Sequence, residues 1–192
     1  MDDKENINVV GERLAVLRKL NALTLEEVAN RATLTKSYLS KLERGLSSPT
    51  IATVLKLARA LDVSLDQLIG GTSPSREILH QHAADRVPFS PSSAREGYTY
   101  EAIATDRPDK VMMPFIMAPP FTLEEQELMS HPGEELIYVV SGEIEVVFAD
   151  RTVRMAAGDS LYFNASLAHR SRSLGEVLAQ ALVVVSDPAR RR

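Results

Sequence analysis

Cysteine is absent from the 192 residues, which excludes disulfides, thiolate metal sites and a cysteine nucleophile and agrees with a reducing compartment. No apolar run approaches the ~20 residues that a membrane-spanning helix needs. The opening stretch MDDKENINVV is acidic and polar where a secretory leader is basic and then apolar. The expected location is therefore cytoplasmic, with no membrane partner. A glycine-rich phosphate loop, a Ser-His-Asp order and a paired-acid signature are all missing, so no residue is singled out as catalytic. A surplus of positive charge is missing too: 22 Lys and Arg stand against 26 Asp and Glu, a net charge of −4.

What is present is an ordinary globular composition, 44% hydrophobic and 25% charged, with length for one large or two modest domains. The charge is unevenly spread. Residues 1–71 carry 10 basic and 9 acidic side chains, whereas residues 72–192 carry 12 and 17. Within residues 13–44 seven bases (Arg13, Arg18, Lys19, Arg31, Lys36, Lys41, Arg44) face three acids (Glu26, Glu27, Glu43). Positive charge is concentrated where a polyanion would bind.

The period of the first part is helical. Val10, Leu14 and Leu17, with Leu20 or Val16, form a stripe that predicts a first helix over residues 8–20. Thr24 followed by Glu27 is a capping box, so a second helix starts near Leu25 and turns Leu25, Val28, Ala29 and Ala32 to one side. Thr35 caps a third, with Leu39 and Leu42 on one face and Gly45 as its stop. Ile51, Val54, Leu55, Ala58 and Leu61 make a fourth behind Pro49, and Ser64 with Gln67 caps a short fifth.

Thr24, Leu25, Ala29, Leu39, Ser40, Leu42, Glu43, Arg44, Gly45, Pro49 and Thr50 resemble the helix-turn-helix of the phage repressor (Cro/cI-like, XRE) family across residues 8–70. Where that family carries Gly, four residues after the Ala, this chain has Thr33, a β-branched residue at a turn that visits positive φ. The resemblance implies that Lys36, Ser37, Tyr38 and Ser40, at the start of the third helix, contact base edges, and that Thr24, Lys41, Arg44 and Arg18 lie near phosphates. Such polar residues also read as a plain solvated face.

Residues 70–75, GGTSPS, read as a linker, and residues 76–97 carry little period. Beyond Gly97 the pattern alternates. Segments 98–104, 111–118, 135–140, 143–149, 151–156, 160–164 and 176–185 are strand candidates separated by turn residues, which implies an antiparallel β-sandwich or small barrel. Tyr98, Tyr100, Met113, Phe115, Met117, Phe121, Tyr138, Tyr162 and Phe163 are candidates for its interior.

His131, Glu135 and Gly142, then Gly158, Asp159 and His169, resemble the two motifs of the cupin family over residues 98–186. Met129 stands where the family has its first motif histidine, and Asn164 where the second motif has proline. Residues 131 and 135 are an even number apart, so strand geometry would put both side chains on one face with Ile137 and Val139. His131, Glu135 and His169 then form a 2-His-1-carboxylate set for a divalent metal such as Fe, Zn, Ni or Mn. The same residues also read as a loop histidine before Pro-Gly, a surface acid beside Glu134 and a hydrogen-bonded barrel histidine.

The expectation is a two-domain protein, α then β: a five-helix DNA-binding domain (residues 1–71), a linker (residues 72–97) and a cupin β-barrel or jelly roll for sensing or dimerisation (residues 98–192). As a regulator it would bind a double-stranded operator as a homodimer and a small-molecule effector in the barrel. The alternative is a cupin metalloenzyme, because the non-haem iron epoxidases of hydroxypropylphosphonic acid also join a repressor-like domain to a cupin with a His, Glu, His iron site.

Overall fold

The computed structural model describes residues 9–47, 49–69, 78–88, 97–107, 110–123 and 127–186, and the chain divides into two compact units. The linker expected at residues 70–75 lies outside the described residues.

The first unit contains five α-helices: α1 (Val9–Leu20), α2 (Leu25–Ala32), α3 (Lys36–Glu43), α4 (Ile51–Ala60) and α5 (Leu65–Ile69). Their starts are set locally. Thr24 Oγ1 accepts from the Glu27 amide at 3.1 Å while Glu27 Oε2 accepts from the Thr24 amide at 2.7 Å, a complete capping box. Thr35 caps α3 through the Tyr38 amide and Thr50 caps α4 through the Thr53 amide. Ser64 and Gln67 repeat the reciprocal pair ahead of α5. Helix ends are equally explicit: Thr33, φ 56° and ψ 46°, closes α2 with its amide on Asn30 O while the Leu34 amide reaches Ala29 O. That is a Schellman end in which a β-branched residue takes the left-handed conformation that glycine adopts without strain.

Leu14, Val28, Ala29, Leu39, Leu42, Val54, Leu57 and Leu68 fill the core between these helices. The first-helix stripe is narrower than expected. Val10 and Leu14 are buried, but Val16 and Leu20 are 55% and 75% exposed because α1 meets its neighbours on one side only. The unit also holds a 3-10 turn (Ala83–Asp85) and a two-residue strand, β1 (Val87–Pro88).

The second unit is a sandwich of two antiparallel sheets. Its strands are β2 (Thr99–Ala102), β3 (Met112–Ala118), β4 (Glu134–Ser141), β5 (Glu143–Phe148), β6 (Thr152–Ala156), β7 (Ser160–Asn164), β8 (His169–Leu174) and β9 (Gln180–Ser186). One sheet runs β2-β3-β9-β4-β7 and the other β6-β5-β8. Alternate residues point into the core: Met113, Phe115 and Met117 from β3, Ile137 and Val139 from β4, Ile144 and Val146 from β5, Val183 and Val185 from β9. Gly142, φ +74°, turns β4 into β5; a Cβ there would stand 2.9 Å from Ala179 Cα, so both conformation and space require glycine.

Three expectations for this half are corrected. Tyr138 and Tyr162, offered as interior residues, are 44% and 63% exposed. They occupy the strand positions alternate to buried Ile137 and Phe163. Strand β8 falls in a stretch that shows no alternation of apolar residues, since its inward positions after His169 are Ser171 and Ser173, both buried. The last strand begins at Gln180, not at residue 176.

Backbone groups on the open edge of β8 are satisfied by a makeshift partner. On the edge away from β5, His169 exchanges two backbone hydrogen bonds of 2.9 Å with Met129, and the Ser171 amide donates to Tyr98 Oη at 2.6 Å while that hydroxyl donates to Ser171 O at 2.8 Å. The Ser173 amide reaches Pro120 O at 2.8 Å. Ser173 Oγ donates to Pro119 O and accepts from the Ala179 amide. An edge strand is thereby closed without another strand.

Candidate functional site

Helices α2 and α3 are joined by the turn at Thr33, Leu34 and Thr35, which leaves the first turns of α3 at the surface. Lys36, Ser37 and Lys41 are exposed, and Ser40 is half-buried. Lys36 Nζ lies 3.3 Å from Glu26 Oε2, both side chains in solvent, so this pair is worth little and leaves the ammonium available. Arg44 is exposed and donates from Nε to Ser40 O. Thr24 is exposed, but its hydroxyl is engaged with Glu27.

Tyr38 is turned partly inward. Burial raises its hydroxyl above the ordinary tyrosine value, partly offset by hydrogen bonds with the side chains of Thr53 and Ser47. Its hydroxyl therefore ties α3 to the first turn of α4. Arg18, offered to phosphate on sequence grounds, instead forks onto Glu43: Nε to Oε1 at 2.6 Å and Nη2 to Oε2 at 2.9 Å, with Nη1 on Leu23 O. Hydrogen bonding to Glu43 outweighs burial and raises the guanidinium further. Sequence spacing gave no sign of this pair, because 25 residues separate its members.

The second cluster lies in the sandwich. His131 leads into β4, Glu135 is the second residue of β4, and His169 opens β8; His131 and Glu135 are 4% and 5% exposed. Glu135 is thus not a surface acid. His131 Nε2 stands 2.9 Å and His169 Nε2 3.6 Å from the same Glu135 Oε2. One ligand atom from each of the three lies within 4.8 Å of the others. The rings are fixed from behind: His169 Nδ1 is 2.8 Å from Leu167 O and His131 Nδ1 is 3.3 Å from Pro132 O. Since a carbonyl only accepts, each Nδ1 carries hydrogen, and each Nε2 of a neutral ring presents its lone pair to the carboxylate.

Two lone pairs do not rest 2.9 Å apart with nothing between them. Either a proton or a metal ion fills the gap, and two imidazoles with one carboxylate suit a divalent cation of the Fe, Zn, Ni or Mn group. Without metal, burial raises the Glu135 carboxyl, but hydrogen bonds from both histidines and their charge hold it below the ordinary value. Burial lowers His169, and its bond to Glu135, the charge of Glu135 and Leu167 O more than reverse this, leaving it above 6.5. Phe163 meets the His169 ring edge-on at 4.8 Å and Phe148 lies at 6.2 Å, an apolar wall on one side of the cluster.

Met129, at the fourth position of the motif, does not leave the site. Its backbone is the partner that holds His169 in place. A cavity of about 390 Å³ is lined by Phe121, Thr122, Leu123, Arg170 and Arg172. Arg170 and Arg172 alternate with His169 and Ser171, so that space is on the opposite face of β8 from the cluster.

Residues 14–68 match the helix-turn-helix family model and residues 118–185 the cupin domain model. The uncharacterized HTH-type transcriptional regulator y4dJ of Sinorhizobium fredii is 45% identical over 64 residues, 33% of this chain and 83% of that protein. The chain belongs to the HTH-type transcriptional regulators, of the XRE-type with a C-terminal cupin domain. Over both domains it is similar to the HTH-type transcriptional regulator PuuR of Escherichia coli (strain K12), 25% identical over 160 residues, 83% of this chain and 84% of that protein. The crystal structure of a helix-turn-helix family transcriptional regulator from Vibrio cholerae has the same fold, with TM-score 0.64 and 24% identity over 95% of this chain and 97% of that one. No helix among the described residues is long and apolar enough to cross a membrane.

Proposed function

We propose that this regulator binds a pseudo-palindromic operator as a homodimer, with output in residues 1–71 and sensing in residues 98–192. Lys36, Ser37 and Ser40 read base edges, with Tyr38 orienting α3, while Lys41, Arg44 and Thr24 meet phosphates. The observation that carries this reading is the capped start of α3, where Lys36, Ser37 and Lys41 are exposed beside a firmly packed α2. A helix end that projects short polar and basic side chains fits the major groove, and half-sites ~34–36 Å apart follow from one helical turn of DNA. Gel-shift titration on DNA flanking its own gene tests it. Lys36→Ala and Lys41→Ala should each weaken binding at least about tenfold, and no shift by the wild type at low salt would overturn it.

His131, Glu135 and His169 would hold a divalent metal ion in the cupin domain, and a small-molecule effector would reach the ion through a position those three ligands leave open. Metal analysis of the purified protein beside His169→Ala tests this. Stoichiometric metal in the wild type and none in the variant is expected, and equal content in both would overturn it. The second reading, a metal-dependent enzyme, rests on the same three side chains. It predicts turnover of a substrate by DNA-free protein loaded with Fe(II).

A further inference from the structure

The cavity on the outer side of β8 is walled by a segment that is fastened along its length. Pro119 and Pro120, whose rings fix φ, follow β3 and pass the edge of β8. There Pro120 O accepts from the Ser173 amide at 2.8 Å and Pro119 O from Ser173 Oγ at 2.7 Å. Further along, Leu123 O accepts from Arg170 Nη1 at 3.2 Å. Between these ties Phe121, Thr122 and Leu123 form a preset wall of the cavity, with Arg170 and Arg172 as the rest of its lining.

The two arginines are preset as well. They lie two residues apart on one face of a strand, so their Cα atoms are ~6.6 Å apart. Arg172 gives Nε and Nη2 to the same oxygen of Glu145, at 2.8 and 2.7 Å, and its Nη1 stays outside that pair. Glu145 is 6% exposed, and its other oxygen takes Arg154 Nε at 3.2 Å. One carboxylate thus serves two guanidiniums, and positive charge is left over on this face. None of the five residues lining the cavity is acidic, and its volume of about 390 Å³ lies in the ~300–1,000 Å³ range of small-molecule sites.

We propose that this cavity binds a small organic anion, with its carboxylate or phosphate group between Arg170 and Arg172 and its apolar body against Phe121 and Leu123. Guanidinium forks match either oxyanion, and the Thr122 hydroxyl adds a further donor. A cation of the same shape would meet two like charges. Because Arg170 and Arg172 alternate with His169 and Ser171, the site is separate from the metal cluster and rests on neither the metal nor the operator reading.

Calorimetric titration of the full chain with benzoate, phenyl phosphate and benzylamine tests the proposal. The two anions separate carboxylate from phosphate, and at least one should bind saturably with a Kd below about 1 mM, whereas benzylamine should not bind. Thr122→Asp sets a carboxylate at the cavity from an exposed position and should weaken the anion at least about tenfold with the unfolding midpoint unchanged. Arg172→Gln should weaken it likewise, and dialysis against EDTA should leave binding as it was. No saturable heat from either anion, benzylamine binding as tightly as benzoate, or undiminished binding by Thr122→Asp would overturn the site. Loss of binding on metal removal would overturn it too, by placing the anion on the metal.

Discussion

Arg18 grips Glu43 with two parallel hydrogen bonds of 2.6 and 2.9 Å, joining the end of α1 to the last residue of α3. Both side chains are nearly out of solvent, 13% and 12% exposed, and a planar guanidinium matches a carboxylate in a way an ammonium cannot. Arg18→Ala removes both of these charge-assisted hydrogen bonds at a nearly dehydrated site and should cost roughly 2–4 kcal/mol in urea unfolding. Arg18→Lys should recover less than half of that. A loss under about 0.5 kcal/mol would show the pair to be incidental, like an exposed one.

Thr33 sits at φ 56° in the turn between α2 and α3. A β-branched residue there costs ~1–2 kcal/mol, against which glycine loses more freedom on folding. Thr33→Gly should therefore stabilise the helical domain by about 0.5–1 kcal/mol, while operator affinity stays within about twofold. Destabilisation in urea would mean that the Thr33 side chain contributes something other than strain.

These two cases show what could be read from the residues. Thr24 with Glu27 and Ser64 with Gln67 were legible because a capping box is a three-residue interaction. His131, Glu135 and His169 were legible through motif spacing, although His131 lies ahead of β4 and is placed by its amide on Ala165 O. Arg18 with Glu43 was not legible, since the packing of α1 against α3 decides it. Strand β8 was hidden because Ser171 and Ser173 replace the apolar residues that reveal a strand, the Ser171 amide being satisfied by the Tyr98 hydroxyl and the Ser173 amide and hydroxyl by distant backbone. Tyr138 and Tyr162 were misjudged on aromatic character alone; the parity that turns Glu135, Ile137 and Val139 inward already turns Tyr138 out.

Met129 and His169 exchange both backbone hydrogen bonds, so they are directly opposite across an antiparallel bridge and their side chains project to the same face. Met129→His would place a third imidazole beside the cluster. Its affinity for Ni(II) or Zn(II), measured by calorimetry, should rise about tenfold or more over the wild type, and an unchanged affinity would show that residue 129 points away from the ions.

Tyr98 and Tyr38 are both raised above the ordinary hydroxyl value of 10.0 by burial, against the pull of their hydrogen bonds. The sign follows directly: between the unfolded and folded values the unfolded chain has already lost the proton, so stability is intact below about pH 10 and falls as pH rises beyond it. Ultraviolet titration of the native protein should show Tyr38 and Tyr98 ionising late. Tyr98→Phe should remove one of them and cost about 1–3 kcal/mol, because the Ser171 amide loses its acceptor.

Strand β8 acts as a ruler with two scales. Its odd residues, His169, Ser171 and Ser173, serve the interior, and its even residues, Arg170 and Arg172, serve the outside. Sliding β8 by one residue against β5 would drive an arginine toward Glu135 and carry His169 away, while separating Arg172 from Glu145. One frame error would thus erase both sets of interactions at once. The Tyr98 hydroxyl, fastened to both backbone groups of Ser171, is the peg that marks zero on that scale.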